Sequence, residues 1–387
     1  MVWLLALANL VNRSGTMVLP FLSLYLTQSL GFTASQAGKL LSLYGFGTMV
    51  GSYLGGWLCD RIGAQRVQLL SFLATGAGFL VAVRLRSFVA LAVAVTVISL
   101  VAEAFRPALL VAVAQHSKAQ VRTRAFVLIR LATNLGMALG PALGGLLAAR
   151  NYAWIFWGDA LTCWAAAVLL AGTLGISSSR PQDQVPAAAP AGRTPWRDLP
   201  FLAFLGLIVV LAMVFLQLWI TFPLYLKERY LFSERAIGAV FALNPILIAL
   251  FEMVLVKSLE NRDYLRIAGL GSFLVCLSLG ALPWGPGVGM PIAVMTGLTI
   301  GEMLAFPMCN AIVARRAGTE STGRYMGAYT VSFGMAFFLS PTLGTAVYES
   351  LGPRALWFGI ALLGILLGAG FAALAPRFRR GDSCCGA

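Results

Sequence analysis

Apolar residues in this chain come in long runs rather than in stripes. Each run ends in a short polar stretch that carries bases, glycine or proline. A run of roughly 20 apolar residues predicts a helix that crosses a membrane, because that length matches the hydrocarbon core. Twelve such spans are predicted, over about 2–30, 34–58, 67–83, 88–115, 123–149, 153–174, 201–226, 236–256, 264–282, 290–314, 324–349 and 354–374. Gly31-Phe32-Thr33 makes the first turn, with Thr33 or Ser35 as the cap of span 2. One stretch is longer than a turn. Over 175–200 the composition changes to serine, proline, alanine and scattered charge. The expected organisation is therefore a six-helix bundle over 1–174, a cytoplasmic linker over 175–200, a second bundle over 201–376 and a cytoplasmic tail over 377–387.

Composition excludes the soluble classes. The chain is 59% hydrophobic and 11% charged, with a mean hydropathy of +0.85. A soluble domain carries about 25% charged residues. The formal net charge of +14 does not point to nucleic acid, because the bases sit between apolar runs, where they orient a membrane protein. With the N-terminus inside, seventeen of the 28 bases fall on the cytoplasmic side and eight on the other. The remaining three, Arg13, Arg106 and Arg130, lie within spans. Both termini are expected in the cytoplasm. The first run is too long for a cleavable signal and is interrupted by Asn9, Asn12 and Arg13, so it reads as span 1. It begins so close to Met1 that a start codon upstream is left open. The six cysteines lack zinc-ligand spacing, and His116 is the one histidine. No metal or other cofactor is expected. Cys384-Cys385 reads as part of a tail.

The two halves overlay at a fixed offset of 200. Asp60 falls on Glu260, Arg66 on Arg266, Pro107 on Pro307, Arg124 on Arg324, Pro141 on Pro341, Gly144 on Gly344 and Trp157 on Trp357. Pro20 and Leu24-Tyr25-Leu26 have counterparts in Pro223 and Leu224-Tyr225-Leu226. Such a match predicts two pseudo-symmetric bundles.

Between spans 2 and 3 the chain reads Gly56, Asp60-Arg61, Gly63 and Arg66. This pattern, Gly-x-x-x-Asp-Arg-x-Gly-x-x-Arg, resembles the loop signature of the major facilitator superfamily of transporters. The resemblance implies an all-α membrane protein of twelve helices in two six-helix bundles, with a substrate site at their interface near the midplane. The second copy is degraded, with Asn261 after the acid and Asp263 in the glycine place, so the first copy is expected to carry more of the gating. In span 5, Gly136, Gly140 and Gly144 recur every fourth position beside Pro141 and Gly145. That makes a glycine face with a bend in it. The segment Asn134–Gly145 resembles the helix 5 motif of the family's drug–proton antiporters. Span 2 has a similar face at Gly47, Gly51 and Gly55.

Charges at membrane depth are costly and face a cavity or one another. Glu103 and Arg106 are three apart on span 4, on neighbouring parts of one face. Arg106 resembles the helix 4 arginine of the family's proton antiporters, and helices 1, 4, 7 and 10 line the cavity in that fold. Arg13, Glu103 and Arg106 are therefore expected to cluster, with Glu302 of span 10 at nearly the symmetry-related place. A carboxyl in a low-dielectric cavity swings in proton affinity as an arginine approaches and leaves. The bland alternative is a static ion-paired brace. Three weaker candidates are Arg130, Asp159, which is expected to anchor a loop through Arg150, and Glu252, which is expected to pack with the gating loop. Phe21, Tyr25, Phe215, Trp219, Phe222, Met303 and Phe306 are expected to form a greasy wall for substrate, with Gln217 as a polar contact.

The expected function is secondary transport: proton-coupled efflux of small amphipathic compounds by alternating access. The partners are protons, a small molecule and the lipid bilayer, and the protein is expected to act as a monomer in a bacterial inner membrane. Many of the antiporters it resembles place an acid in helix 1, where this chain has Arg13. That departure supports a second expectation, a facilitator or importer of an organic anion clamped by Arg13 and Arg106. No phosphate-binding loop and no catalytic constellation is present, so a membrane enzyme or a sensor is disfavoured.

Overall fold

The computed structural model describes residues 1–117, 122–172, 195–259, 262–317 and 322–383. The middle of the expected linker (173–194), Lys118, Glu260, Asn261 and the Cys384-Cys385 pair lie outside them. Every regular element among the described residues is helical. Span 1 is two helices, α1 (Val2–Ser14) and α2 (Val18–Leu24), the second running on into a π turn (Tyr25–Ser29). Next come α3 (Ala34–Ile62) and α4 (Ala64–Ala82). Span 4 is α5 (Phe88–Glu103) and α6 (Phe105–His116). Spans 5 and 6 are α7 (Arg122–Ala148) and α8 (Ala153–Ala171). Span 7 is again double, α9 (Leu199–Ile220) and α10 (Phe222–Arg229). The rest are α11 (Glu234–Ser258), α12 (Tyr264–Gly280), α13 (Gly289–Ala317), α14 (Thr322–Ser350) and α15 (Pro353–Ser383).

Spans 1, 4 and 7, expected as continuous helices, are each broken. Each break lies just ahead of a proline, respectively Pro20, Pro107 and Pro223. Proline has no N–H to return to the fourth residue before it, so it fits the first turn of a new helix. At the span 4 break α4 binds both sides: the Ser71 hydroxyl donates to the Val101 carbonyl at 2.7 Å, and Gln68 donates to the Ala108 carbonyl at 3.0 Å. Thr33 is the cap of α3, with Gln36 closing a reciprocal capping box. Gly63 joins α3 to α4 at φ 86°, a left-handed conformation that favours glycine.

Ten of the described helical segments are long and apolar enough to cross a membrane. The other two long helices, α3 and α4, fall short in apolarity. The first is rich in glycine, and the second opens with Gln65, Arg66 and Gln68. Large apolar side chains point outward along the helices, Val97 and Val168 among them, and Leu250 and Leu362 further on. That surface suits lipid.

The contacts divide the described residues into two compact units. The first is drawn from Met1–Gln184 and Trp219–Ala249, the second from Val185–Leu218 and Leu250–Ala387. The division therefore does not follow the linker alone, because α10 and the start of α11 group with the first unit. The first core gathers Leu5, Phe72, Phe105, Leu109, Ile129 and Leu170 from α1, α4, α6, α7 and α8. In the second unit α12 lies between α13 and α15. Gly271 abuts Gly301 and Ala305, and Gly280 abuts Ala361, so small residues set the spacing. One end of that unit is tied by a buried pair. Arg316 donates to both Asp198 oxygens, at 2.8 and 2.9 Å, and the Tyr325 hydroxyl adds a third bond at 3.1 Å. Burial pushes the Asp198 carboxyl up. The bonds and charge of Arg316, with the Phe201 amide and Tyr325, outweigh that and hold it below the usual carboxylate range.

Candidate functional site

The charged residues expected at membrane depth in the first half do come together. Glu103 ends α5 and Arg106 lies in the first turn of α6, so the pair straddles the break. Arg106 Nε meets Glu103 Oε1 at 3.0 Å. The Glu103 side chain is 19% exposed and that of Arg106 62%, so the acid is sheltered while the base reaches outward. Pro107 supplies the break that lets the two turn toward each other. Arg13, at the end of α1, is in electrostatic reach of both. Its Nε is buried and makes no hydrogen bond among the described residues. Tyr44 of α3 stands among these charges and also within reach of Asp159. Sequence reasoning missed Tyr44, since a tyrosine in a glycine-rich helix gives no signal of its own.

The glycine face of α7 is turned to span 1. Gly136 abuts Arg13 and Leu10, Gly140 abuts the Arg13 and Thr16 carbonyls, and Gly144 abuts Met17 and Phe21. Gly145 and Pro141 face the other way, onto Gly238 and the Glu234 carbonyl of α11. The same short stretch therefore seats two helices. The glycine face of α3 has one neighbour. Gly47 and Gly51 lie on Thr96, Ser99 and Leu100 of α5, and Gly55 lies on Ala104 at the span 4 break.

Asp159 does not anchor a loop through Arg150. Its carboxylate accepts from the Met17 N–H at 2.9 Å and from the Val18 N–H at 3.1 Å, at the start of α2. The chain ends nearest by sequence gave no hint of this, because the partners lie more than a hundred residues upstream.

A second polar group lies where α8 begins. Tyr152 donates to Glu234 Oε1 at 2.9 Å, and Lys227 Nζ meets the same oxygen at 2.6 Å. Burial and then the Glu234 bond and charge push the Tyr152 phenol up, so it stays a donor. Tyr25 packs edge-on against Phe156 with ring centres 4.9 Å apart, and accepts from Arg86 at 3.0 Å. Spans 1, 5, 6, 7 and 8 thus meet at one end of the first unit.

The loop residues stand differently. Asp60, Arg61 and Arg66 are exposed. Arg61 lies over the Trp57 ring at 4.0 Å, and none of the three makes an ion pair among the described residues. Gly56 has open space around it. Of the expected greasy wall, Phe21 and Tyr25 are buried in the packing of their own unit, so in this conformation they fill rather than line. Trp219 is half-buried against Phe241, with ring centres 5.1 Å apart. In the second unit Phe306 is half-buried between Phe215 and Phe333. The Gln217 amide is spent on α14, donating to the Ser340 carbonyl at 3.0 Å and hydroxyl at 2.8 Å. Glu302 is half-buried on α13, one turn from Phe306.

A family model described as Major Facilitator Superfamily matches residues 2–341. The MFS-type transporter YqjV of Bacillus subtilis is 26% identical, over 97% of this chain and 93% of its own. A Na(+), Li(+), K(+)/H(+) antiporter of Planococcus maritimus is 22% identical, over 93% and 91%. The multidrug resistance protein MdtH of Photorhabdus laumondii is 23% identical, over 90% and 88%. Among solved structures, a peptide transporter, POT, in complex with sulfate superposes with a TM-score of 0.81 at 19% identity, covering 98% of this chain and 95% of that one. That likeness is one of fold.

Proposed function

The chain belongs to the major facilitator superfamily, and from that premise we propose that this secondary transporter exports small amphipathic compounds in exchange for protons, by alternating access. Its relatives are transporters rather than enzymes, and it is a multi-pass membrane protein. The observation that carries the finer reading is Glu103, a sheltered acid bonded to Arg106 across a helix break with Arg13 in reach. Coupling runs through this pair, as Arg106 parts from Glu103 and rejoins it during the cycle. Glu302 on α13 serves as the second carrier. A cation/proton antiporter and a multidrug protein among the relatives support coupling and efflux.

The working architecture is twelve spans in two pseudo-symmetric bundles, 1–174 and 201–376, joined by a cytoplasmic linker over 175–200. Here α3 and α4 count as spans 2 and 3, less apolar than the rest through the glycines of the first and the polar opening turn of the second. Gly56, Asp60, Arg61, Gly63 and Arg66 form the inner latch, with the Gly63 turn as its pivot. Gly136, Gly140, Pro141 and Gly144 form the bending seam. Trp219 and Phe306, half-buried, are the apolar contacts for substrate, and Phe21, Tyr25 and Gln217 join them in another state of the cycle. The protein works as a monomer in a bacterial inner membrane, with both termini inside.

A second reading has its own support. The Arg13 Nε has no hydrogen bond among the described residues, and Arg106 reaches outward. Two such bases suit an organic anion, carried by facilitation or import. One experiment separates the readings. Everted vesicles holding the protein are given cationic, neutral and anionic compounds, and proton release is followed beside Glu103→Gln. A compound that discharges the gradient only with Glu103 in place supports the exporter. A labelled anion that crosses with no discharge, and despite an uncoupler, replaces it with the facilitator.

A further inference from the structure

The carboxylate of Asp159 has no part in the reading above. It is 3% exposed on α8 and faces the break in span 1. Each oxygen takes one backbone N–H, from Met17 and from Val18. Among the described residues no cation pairs with it. The seat around it is close. Gly158 lies against Met17, and Thr162 lies so near Gly15 that no side chain fits there.

The titratable groups facing Asp159 come from several elements. Tyr44 lies on α3, with Arg13 of α1, Glu103 and Arg106 in its own reach, and Cys163 lies on α8 itself. Span 1 also brings Tyr25, beside Phe156. From Val67 to Ala82, α4 has no titratable side chain. The charges of α7, at positions 122, 124 and 130, lie toward its start, while Asp159 follows the turn after its end.

We propose that Asp159 is a proton-binding clamp on span 1, closed as a carboxylate and open as a carboxylic acid. A proton from water makes one oxygen a hydroxyl donor and takes the side chain from −1 to neutral; release to water reverses both. The hydroxyl oxygen no longer accepts an N–H in this geometry. Met17 N–H also leans on the Gly15 carbonyl at 2.8 Å, so Val18 is the group that depends on Asp159. With the clamp open, α2 loses its polar tie to α8 and is left to apolar packing, as where Gly144 of α7 lies against Met17 and Phe21. A second protonation then acts on α2, which follows α1 and its Arg13 in the same span. The role in transport rests on the proton-coupled reading, but the clamp itself does not.

The test uses the full chain in liposomes. Hydrogen exchange is measured on the peptide spanning Ser14 to Pro20 between about pH 5 and 8, corrected for intrinsic rates. Protection of the Val18 amide should fall about tenfold at the acid end, the loss expected for a hydrogen bond to a charged group. Asp159→Asn should make the profile flat, and Glu103→Gln should leave it as in the wild type. An unchanged wild-type profile overturns the clamp, whatever the variants do, so a misfolded Asp159→Asn does not rescue it. An Asp159→Asn profile that still changes with pH also overturns it. The vesicle assay separates the two readings. A clamp that titrates while no compound discharges the gradient leaves the clamp standing and removes proton-coupled export. Discharge with an unresponsive clamp does the reverse.

Discussion

The Arg316 side chain is 9% exposed and that of Asp198 8%, so their pair is shielded from solvent screening. Removing one partner of such a pair leaves a buried charge behind, at a cost of about 3–5 kcal/mol. Arg316→Ala should therefore lower the melting temperature of the detergent-purified protein well beyond what Arg315→Ala does, since Arg315 is exposed, lying over the Tyr264 ring and donating to its hydroxyl. The pH dependence has a fixed sign. Asp198 is held low in the folded chain, so its contribution is complete above the unfolded carboxylate value of about 3.9 and fades as pH falls through the lower folded one. Melting curves taken from neutral pH into that acid range should converge with those of Asp198→Asn; parallel curves would remove the pair from the account. None of this was legible beforehand. Both residues read as loop charges, and 118 positions separate them. Asp159 was misread for the same reason, since a sequence shows the charge and not the backbone it binds.

At the scale of elements, the spacing of glycines gave the faces of α3 and α7 and left their neighbours unnamed. The stretch Gly136–Gly145 looked like a single seam. It is two, one against span 1 and one against α11. The helix breaks were hidden because a proline after an apolar run predicts a bend as readily as a new start. The structure shows the new starts directly, and at the one in span 4 the side chains of Ser71 and Gln68 bind on either side of it. The seam against α11 can be tested. A methyl group added at Gly238 would meet the Pro141 carbonyl and Gly145. Overpacking of that kind costs about 1–3 kcal/mol. Gly238→Ala should therefore destabilise the protein and slow transport. Gly359→Ala, where nothing lies nearby, should change neither. Equal effects would mean that the approach of α7 and α11 is incidental.

The whole molecule was the most legible scale. Apolar run length predicts helices, and every regular element among the described residues is one. What the runs could not show is that α10 and the start of α11 join the first unit, because that grouping comes from side chains such as Tyr152 and Glu234 meeting across distant spans. Orientation rests on charge alone and is the premise for efflux, so it merits a direct measurement. Bases are retained on the cytoplasmic side, and the loop holding Arg61 and Arg66 should therefore lie inside, with the loop holding Arg84 and Arg86 outside. In a chain freed of native cysteines, Ser87→Cys should react with a membrane-impermeant maleimide on intact cells, and Gln65→Cys only in everted vesicles. The opposite pattern would turn the Tyr152–Glu234–Lys227 group to the cytoplasm. Asp60 and its arginines would then lie on the far side, where they could not close an inner gate.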